Sequence, residues 1–159
     1  RMEMRRKDLA VTDSARIDEI ILSCDCLRLA FADGTHPYII PLSFGYERKG
    51  DTQCFYFHGA AAGRKVELCR RLGYAGFELD RYRTVNPNEK ACNFSMRYQS
   101  IVGEGVITEL TAAKEKAQAL KIIMKQLSGR DDWDFPEDVL AKTCVFQLVV
   151  KELSAREHG

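Results

Sequence analysis

The chain has 159 residues, 45% of them apolar, with 24 basic and 23 acidic side chains and a formal net charge of +1. That is enough for one well-buried core and too little for two ordinary domains, and a TIM barrel, which needs about 250 residues, is excluded. The balanced charge gives no global pull toward nucleic acid or an anionic membrane, so any anion site must arise from local clustering.

In chain order, the leading segment Arg1 to Lys7 is basic but is not followed by the apolar stretch of a secretory signal. Thr12 and Asp13 are N-cap candidates for a helix over 14–24, with Ile17, Ile20 and Ile21 at helical spacing. Residues 26–32 alternate as a strand and end at Asp33-Gly34, a hairpin signal. The partner strand reads over 37–46, with Pro41 marking an edge or a bulge, and an aromatic strand over 51–57 runs into His58-Gly59. A helix over 60–72 ends at Gly73, and a strand over 74–82 gives way to the polar Asn86-Pro87-Asn88. A long strand pair is expected over 91–110, with Gly103 and Gly105 permitting sharp bends. The clearest helical pattern covers 111–127, a short helix lies near 136–142, and a final strand covers 143–153. There is no internal repeat or linker. The expectation is one mainly β domain over 1–159, a small antiparallel barrel with peripheral helices.

Six cysteines stand at 24, 26, 54, 69, 92 and 144, several inside apolar runs. They read as reduced, mostly buried thiols of a cytoplasmic protein. Cys24-x-Cys26 lacks a second close pair or a His pair, so no metal site is expected. No apolar run approaches the roughly 20 residues that cross a bilayer.

Two stretches carry chemistry. In Phe55-Tyr-Phe-His-Gly-Ala-Ala-Ala-Gly-Arg-Lys65, an apolar strand ends, small residues follow, and a helix opens on two cations. Small residues let a ligand approach the backbone, and free N–H groups beside Arg64 and Lys65 favour a phosphate. The plain alternative is a solvated basic helix face. A P-loop is absent, as is a Rossmann glycine fingerprint. In Ser95-Met-Arg-Tyr-Gln-Ser100, strand alternation puts Tyr98 and Ser100 on one face and Arg97 and Gln99 on the other. Ser100 can donate to a ligand, or merely face solvent.

The order of Pro37-Tyr-Ile-Ile-Pro-Leu-Ser-Phe-Gly-Tyr46, the His58–Lys65 stretch and Arg97-Tyr-Gln-Ser-Ile-Val-Gly-Glu-Gly105 resembles the pyridoxamine 5′-phosphate oxidase-related flavoproteins. The nearest branch is the nitroimidazole-resistance, or Nim-like, proteins. The Phe-Pro-Glu turn at 135–137 adds to the resemblance, which runs from about Arg5 to Leu153. It implies an FMN-binding split β-barrel and a homodimer with FMN in a groove between subunits. By position, Pro41, Leu42 and Ser43 would lie along the isoalloxazine ring. His58 and Gly59 would border the ring and ribityl chain, Arg64 and Lys65 would hold the phosphate, and Ser100 would face the cofactor. Trp133 lies where some relatives send an aromatic residue across the dimer. Gly59 and Ala61 depart from the Ser and charged residue common in Nim-like proteins.

The expected function is that of an oxidoreductase passing electrons from NADH or NADPH, bound transiently, to a small organic acceptor such as a nitroaromatic or quinone. His58 is the candidate catalytic residue, because its unperturbed pKa lies near 6.5. The alternative is a flavin- or haem-binding protein without turnover, with FAD as another possible flavin. For haem, the imidazoles available are His36 in a predicted turn, His58, and His158 in a predicted loose tail.

Overall fold

The computed structural model describes residues 4–159; Arg1, Met2 and Glu3 of the basic leading segment lie outside the described residues. A two-residue strand β1 (Ala10–Val11) precedes helix α1 (Ser14–Ser23), then β2 (Leu27–Asp33), β3 (His36–Leu42), β4 (Gly45–Lys49) and β5 (Thr52–Gly59). Helix α2 (Arg64–Leu72) leads into the long strands β6 (Tyr74–Asn86) and β7 (Ser95–Leu110). Helices α3 (Ala113–Ser128) and α4 (Glu137–Lys142) come before β8 (Cys144–His158). All pairings are antiparallel, in the order β3-β2-β6-β7-β8-β5-β4, with β1 added beside β8.

The two ends of that path are consecutive in the chain. Leu42 closes β3 and Gly45 opens β4, so Ser43 and Phe44 alone separate the sheet's two edges. Three Cα steps hold those edges within about 11 Å. No ladder joins β3 to β4. The sheet is therefore curled round and shut by covalent chain instead of hydrogen bonds: a split barrel. Phe44, 1% exposed, drops inward from the connection, its ring centroid 5.8 Å from that of Phe55.

Period-two alternation sorts the strands' side chains. Leu29, Phe31, Phe55, Phe57, Phe77, Leu79, Ile101, Phe146 and Leu148 fill the interior. Each such burial stabilises the fold by about 1.5–3 kcal/mol. The opposite faces of β5 and β8 carry Cys54, Tyr56 and Val145, which meet Ala119, Leu120 and Ile123 of α3 in a second cluster with Leu110 and Leu140. Asp13 caps α1, its carboxylate accepting from the Arg16 amide at 3.2 Å. Gly73 ends α2 in the left-handed region at φ 61°.

Several sequence expectations need correcting. The strand expected over 37–46 is two strands on opposite edges of the sheet, and β1 was not foreseen. Pro41 does lie on an edge strand, because β3 pairs with β2 alone. Helix α2 begins at Arg64, since residues 60–63 form the turn above the strand end. Residues 95–110 make one strand, whose partners are β6 and β8. The last strand runs on to His158, whose Nδ1 lies 2.5 Å from the Met96 carbonyl oxygen; it is no loose tail. The register shift opposite Glu104 and Gly105 places the extra residue, Lys151, on β8.

Helix α3 lies directly against β4 at Gly45. A Cβ there would sit 2.6 Å from the Ile123 nitrogen and 2.7 Å from the Ile122 carbonyl carbon, both main-chain atoms. Gly45→Ala should push the helix off the sheet and cost about 1–3 kcal/mol, seen as a lower urea midpoint at an unchanged slope. An unaltered midpoint would show that α3 rides freely over the barrel.

Candidate functional site

Strand β5 brings the chain to one end of the barrel. Phe57 faces the interior, His58 points outward and is exposed, and Gly59 ends the strand opposite Cys144. Ala60 to Gly63 then turn the chain into α2, with Gly63 at φ 127°, a conformation that glycine tolerates and L side chains rarely adopt. Val66, Leu68 and Cys69 are buried and pin the helix to the barrel wall. Its N-terminus has no side-chain cap, so the first amides are left for an anion. A depression of about 540 Å³, lined by Ala61, Ala62, Gly63, Val66 and Arg70 among others, opens beside that turn.

Lys65 folds back over the strand end. Its Nζ donates to the His58 carbonyl oxygen at 2.9 Å. A Cβ on Gly59 would meet Lys65 Cε at 2.8 Å and Nζ at 3.1 Å, so the absent side chain of Gly59 is the seat of this lysine. Burial holds the ammonium's pKa below its ordinary value. Arg64 lies further out, half exposed. Its guanidinium reaches Asp33 of the β2–β3 hairpin at 3.4 Å and stands 5.0 Å from the Tyr38 ring centre. Asp33 also takes Arg71 at 3.0 Å. The helix start thus offers two cations, each already holding a weak internal partner.

The structure sorts the remaining expected site residues. Pro41 and Ser43 are exposed along the β3 edge, whereas Leu42 is buried with its side chain in the core. Ser100 is half-buried on β7 between Asp80 and Arg156. On β8, His58 pairs with Val145 and Ser100 with Arg156, eleven residues apart. That is roughly 36 Å of strand. One chain brings His58, Gly59, Arg64 and Lys65 together and leaves Ser100 at the far end. Trp133 is tied locally, donating to Ser128 Oγ at 3.0 Å beneath the Arg130 guanidinium. Asp33 and Tyr38, the partners of Arg64, were missed from sequence because the hairpin was read only as a turn. Among the described residues, no three His, Cys, Asp or Glu side chains gather as a metal-binding group, and no helix is long and apolar enough to cross a membrane.

An open antiparallel barrel shut by a two-residue connection, with an anion-favouring helix start at one strand end, defines a split β-barrel protein. The chain belongs to the pyridoxamine 5′-phosphate oxidase family, whose model matches residues 13–157. Among solved structures, it is similar to a protein of Bacteroides thetaiotaomicron provisionally assigned to 5-nitroimidazole antibiotic resistance. That match has 26% identity over 92% of this chain and 85% of the other, with a TM-score of 0.79. The flavocytochrome Anf3 of Azotobacter vinelandii matches at 19% identity over 99% of this chain and 72% of its own, with a TM-score of 0.81. An FAD-binding protein of Mesorhizobium loti matches at 21% identity, 93% and 96% coverage and a TM-score of 0.66. At these last two identities the likeness establishes the fold. No curated protein matches the chain in sequence.

The His58 imidazole is held below its ordinary pKa, first by partial burial at the strand end and then by the Lys65 charge. The folded state therefore favours the neutral ring. Its contribution to stability is present above the unfolded value of about 6.5 and is lost as the pH falls through the folded value. Because the side chain remains exposed in the single chain, the contribution is small. In an NMR titration the His58 midpoint should lie below 6.5 and move upward in Lys65→Ala without reaching it. A midpoint that ignores the lysine would separate the two side chains electrostatically.

Proposed function

We propose that this chain binds FMN at the β5–α2 junction, in a site completed by a second copy, and works as an oxidoreductase. Electrons would pass from a nicotinamide nucleotide to a small organic acceptor such as a nitroaromatic or quinone. The observation that carries the reading is Lys65 seated across Gly59 at an uncapped helix start beside Arg64. A phosphate there finds free amides and two cations, and charge-assisted hydrogen bonds of that kind are the strong ones. The split-barrel fold and the family membership support the same reading, as does the likeness to a protein provisionally linked to nitroimidazole resistance.

FMN supplies the redox chemistry when bound, and the protein supplies binding, orientation and protons. Lys65, now on the His58 carbonyl, and Arg64, now on Asp33, would hold the phosphate. His58, neutral at pH 7 and facing outward next to Gly59, would exchange a proton with a bound acceptor. Ser100 lies far along the strands from Lys65, whereas Ser43 is two residues from Gly45, the partner of Tyr56 on β5. It is therefore the part of Ser100 in one site that requires the neighbouring subunit. This is why the reading includes a homodimer.

Lys65→Ala removes one charge-assisted contact, worth about 1.5–3 kcal/mol, or roughly a 10- to 150-fold loss in FMN affinity. Riboflavin, without the phosphate, should bind both forms alike; fluorescence titration with the two ligands reads the difference. Equal FMN affinities would reduce Arg64 and Lys65 to a solvated helix face.

His58→Ala should retain FMN yet slow acceptor reduction by about 100-fold or more. Stopped-flow absorbance with NADH and NADPH as donors follows each half-reaction. Unchanged rates would make His58 structural, and a wild-type flavin that neither nucleotide reduces would favour a flavin- or haem-binding protein without turnover.

A further inference from the structure

The register leaves part of β6 and β7 outside the barrel. Strand β2 covers β6 only at residues 76–78, and β8 reaches β7 no further than Tyr98. Residues 82–97 therefore project as a two-stranded arm. Tyr82, Val85, Phe94 and Met96 on this arm are 63%, 52%, 53% and 39% exposed, and Val85 lies directly opposite Met96. A bare two-stranded ribbon is marginal in water, and four large apolar side chains within fifteen residues mark a contact surface. At the arm's root Tyr82 has φ 54°, beside a register shift between Arg81 and Thr84, so the ribbon bends as it leaves the sheet.

The arm is basic: Arg83, Lys90 and Arg97 stand against Glu89. The segment leading into α4 is its counterpart. Asp131, Asp132, Asp134, Glu137 and Asp138 are all exposed there, beside the half-buried Trp133 and Phe135 and the exposed Val139. Among the described residues, no hydrogen bond or ion pair joins arm and acidic segment within the chain. Helix α4 leads into β8 at Cys144, while the arm leaves the sheet past His158, at the other end of that strand.

We propose that the arm docks on the acidic segment of a second copy of this chain, and the second copy's arm on the first. Each chain carries both halves of the contact, which is what a two-fold, self-complementary interface requires. It names the surfaces that meet in the homodimer on which the flavin reading rests, and does not itself require the flavin.

Two reversals test it: Arg83→Glu with Lys90→Glu on the arm, and Asp134→Lys with Asp138→Lys on the acidic segment. All four side chains are exposed, and circular dichroism checks that each variant folds. In sedimentation at low salt, each reversal alone should raise the dimer dissociation constant by about tenfold or more, and added salt should weaken the wild-type dimer. Combining the two restores opposite charges and should bring the constant back to within about threefold of wild type. A wild-type mass of 18.1 kDa at all micromolar concentrations, single reversals without effect, or no recovery in the combination overturns the proposal. FMN and riboflavin titrations on the same samples report on the flavin reading separately.

Discussion

Everything in this molecule depends on the two residues between Leu42 and Gly45. An antiparallel sheet of this size would otherwise twist open and leave two bare edges. Here the chain steps directly from one edge to the other, so curvature is imposed covalently and the interior closes around Phe44, Phe55 and Phe77. The same step fixes where α3 must lie, because Gly45 admits the helix backbone at a distance that no side chain would tolerate. With that wall covered, β5 is buried on both faces as far as Phe57 and emerges at His58 and Gly59. The candidate site is the place where the buried strand runs out.

Much of the fold was legible because each strand of the barrel has one apolar face. The helix start at Asp13, the glycine stop at Gly73 and the edge position of Pro41 all follow from local chemistry that a sequence displays. The break between β3 and β4 was hidden for a physical reason. Leu42, Phe44 and Tyr46 are all buried, so the alternation continues unbroken through the crossing. What changes there is the hydrogen-bond partner, and a side-chain pattern carries no record of that. The two-residue β1 is too short for any period.

The candidate site was legible in its chemistry and less so in its geometry. Small residues followed by Arg64 and Lys65 pointed to the anion-favouring turn, and Gly59 proved to be the seat of Lys65. The distance from Ser100 could not be read, because it depends on which residues of β7 and β5 face the same rungs of β8. Nor could the tie from Arg64 to Asp33, which needs the β2–β3 hairpin to arrive beside a helix thirty residues later.

That tie has a consequence for selectivity. Asp33 is an internal anion, held against Arg64 and Arg71 before any ligand arrives. An incoming group must out-compete a carboxylate that is tethered and therefore always present at high local concentration. Chloride or a lone carboxylate gains little by the exchange, whereas a phosphate dianion brings twice the charge and more acceptor atoms. On the proposed phosphate reading, the hairpin would thus favour a ligand of high charge density at the helix start, with a residue that need never touch the ligand.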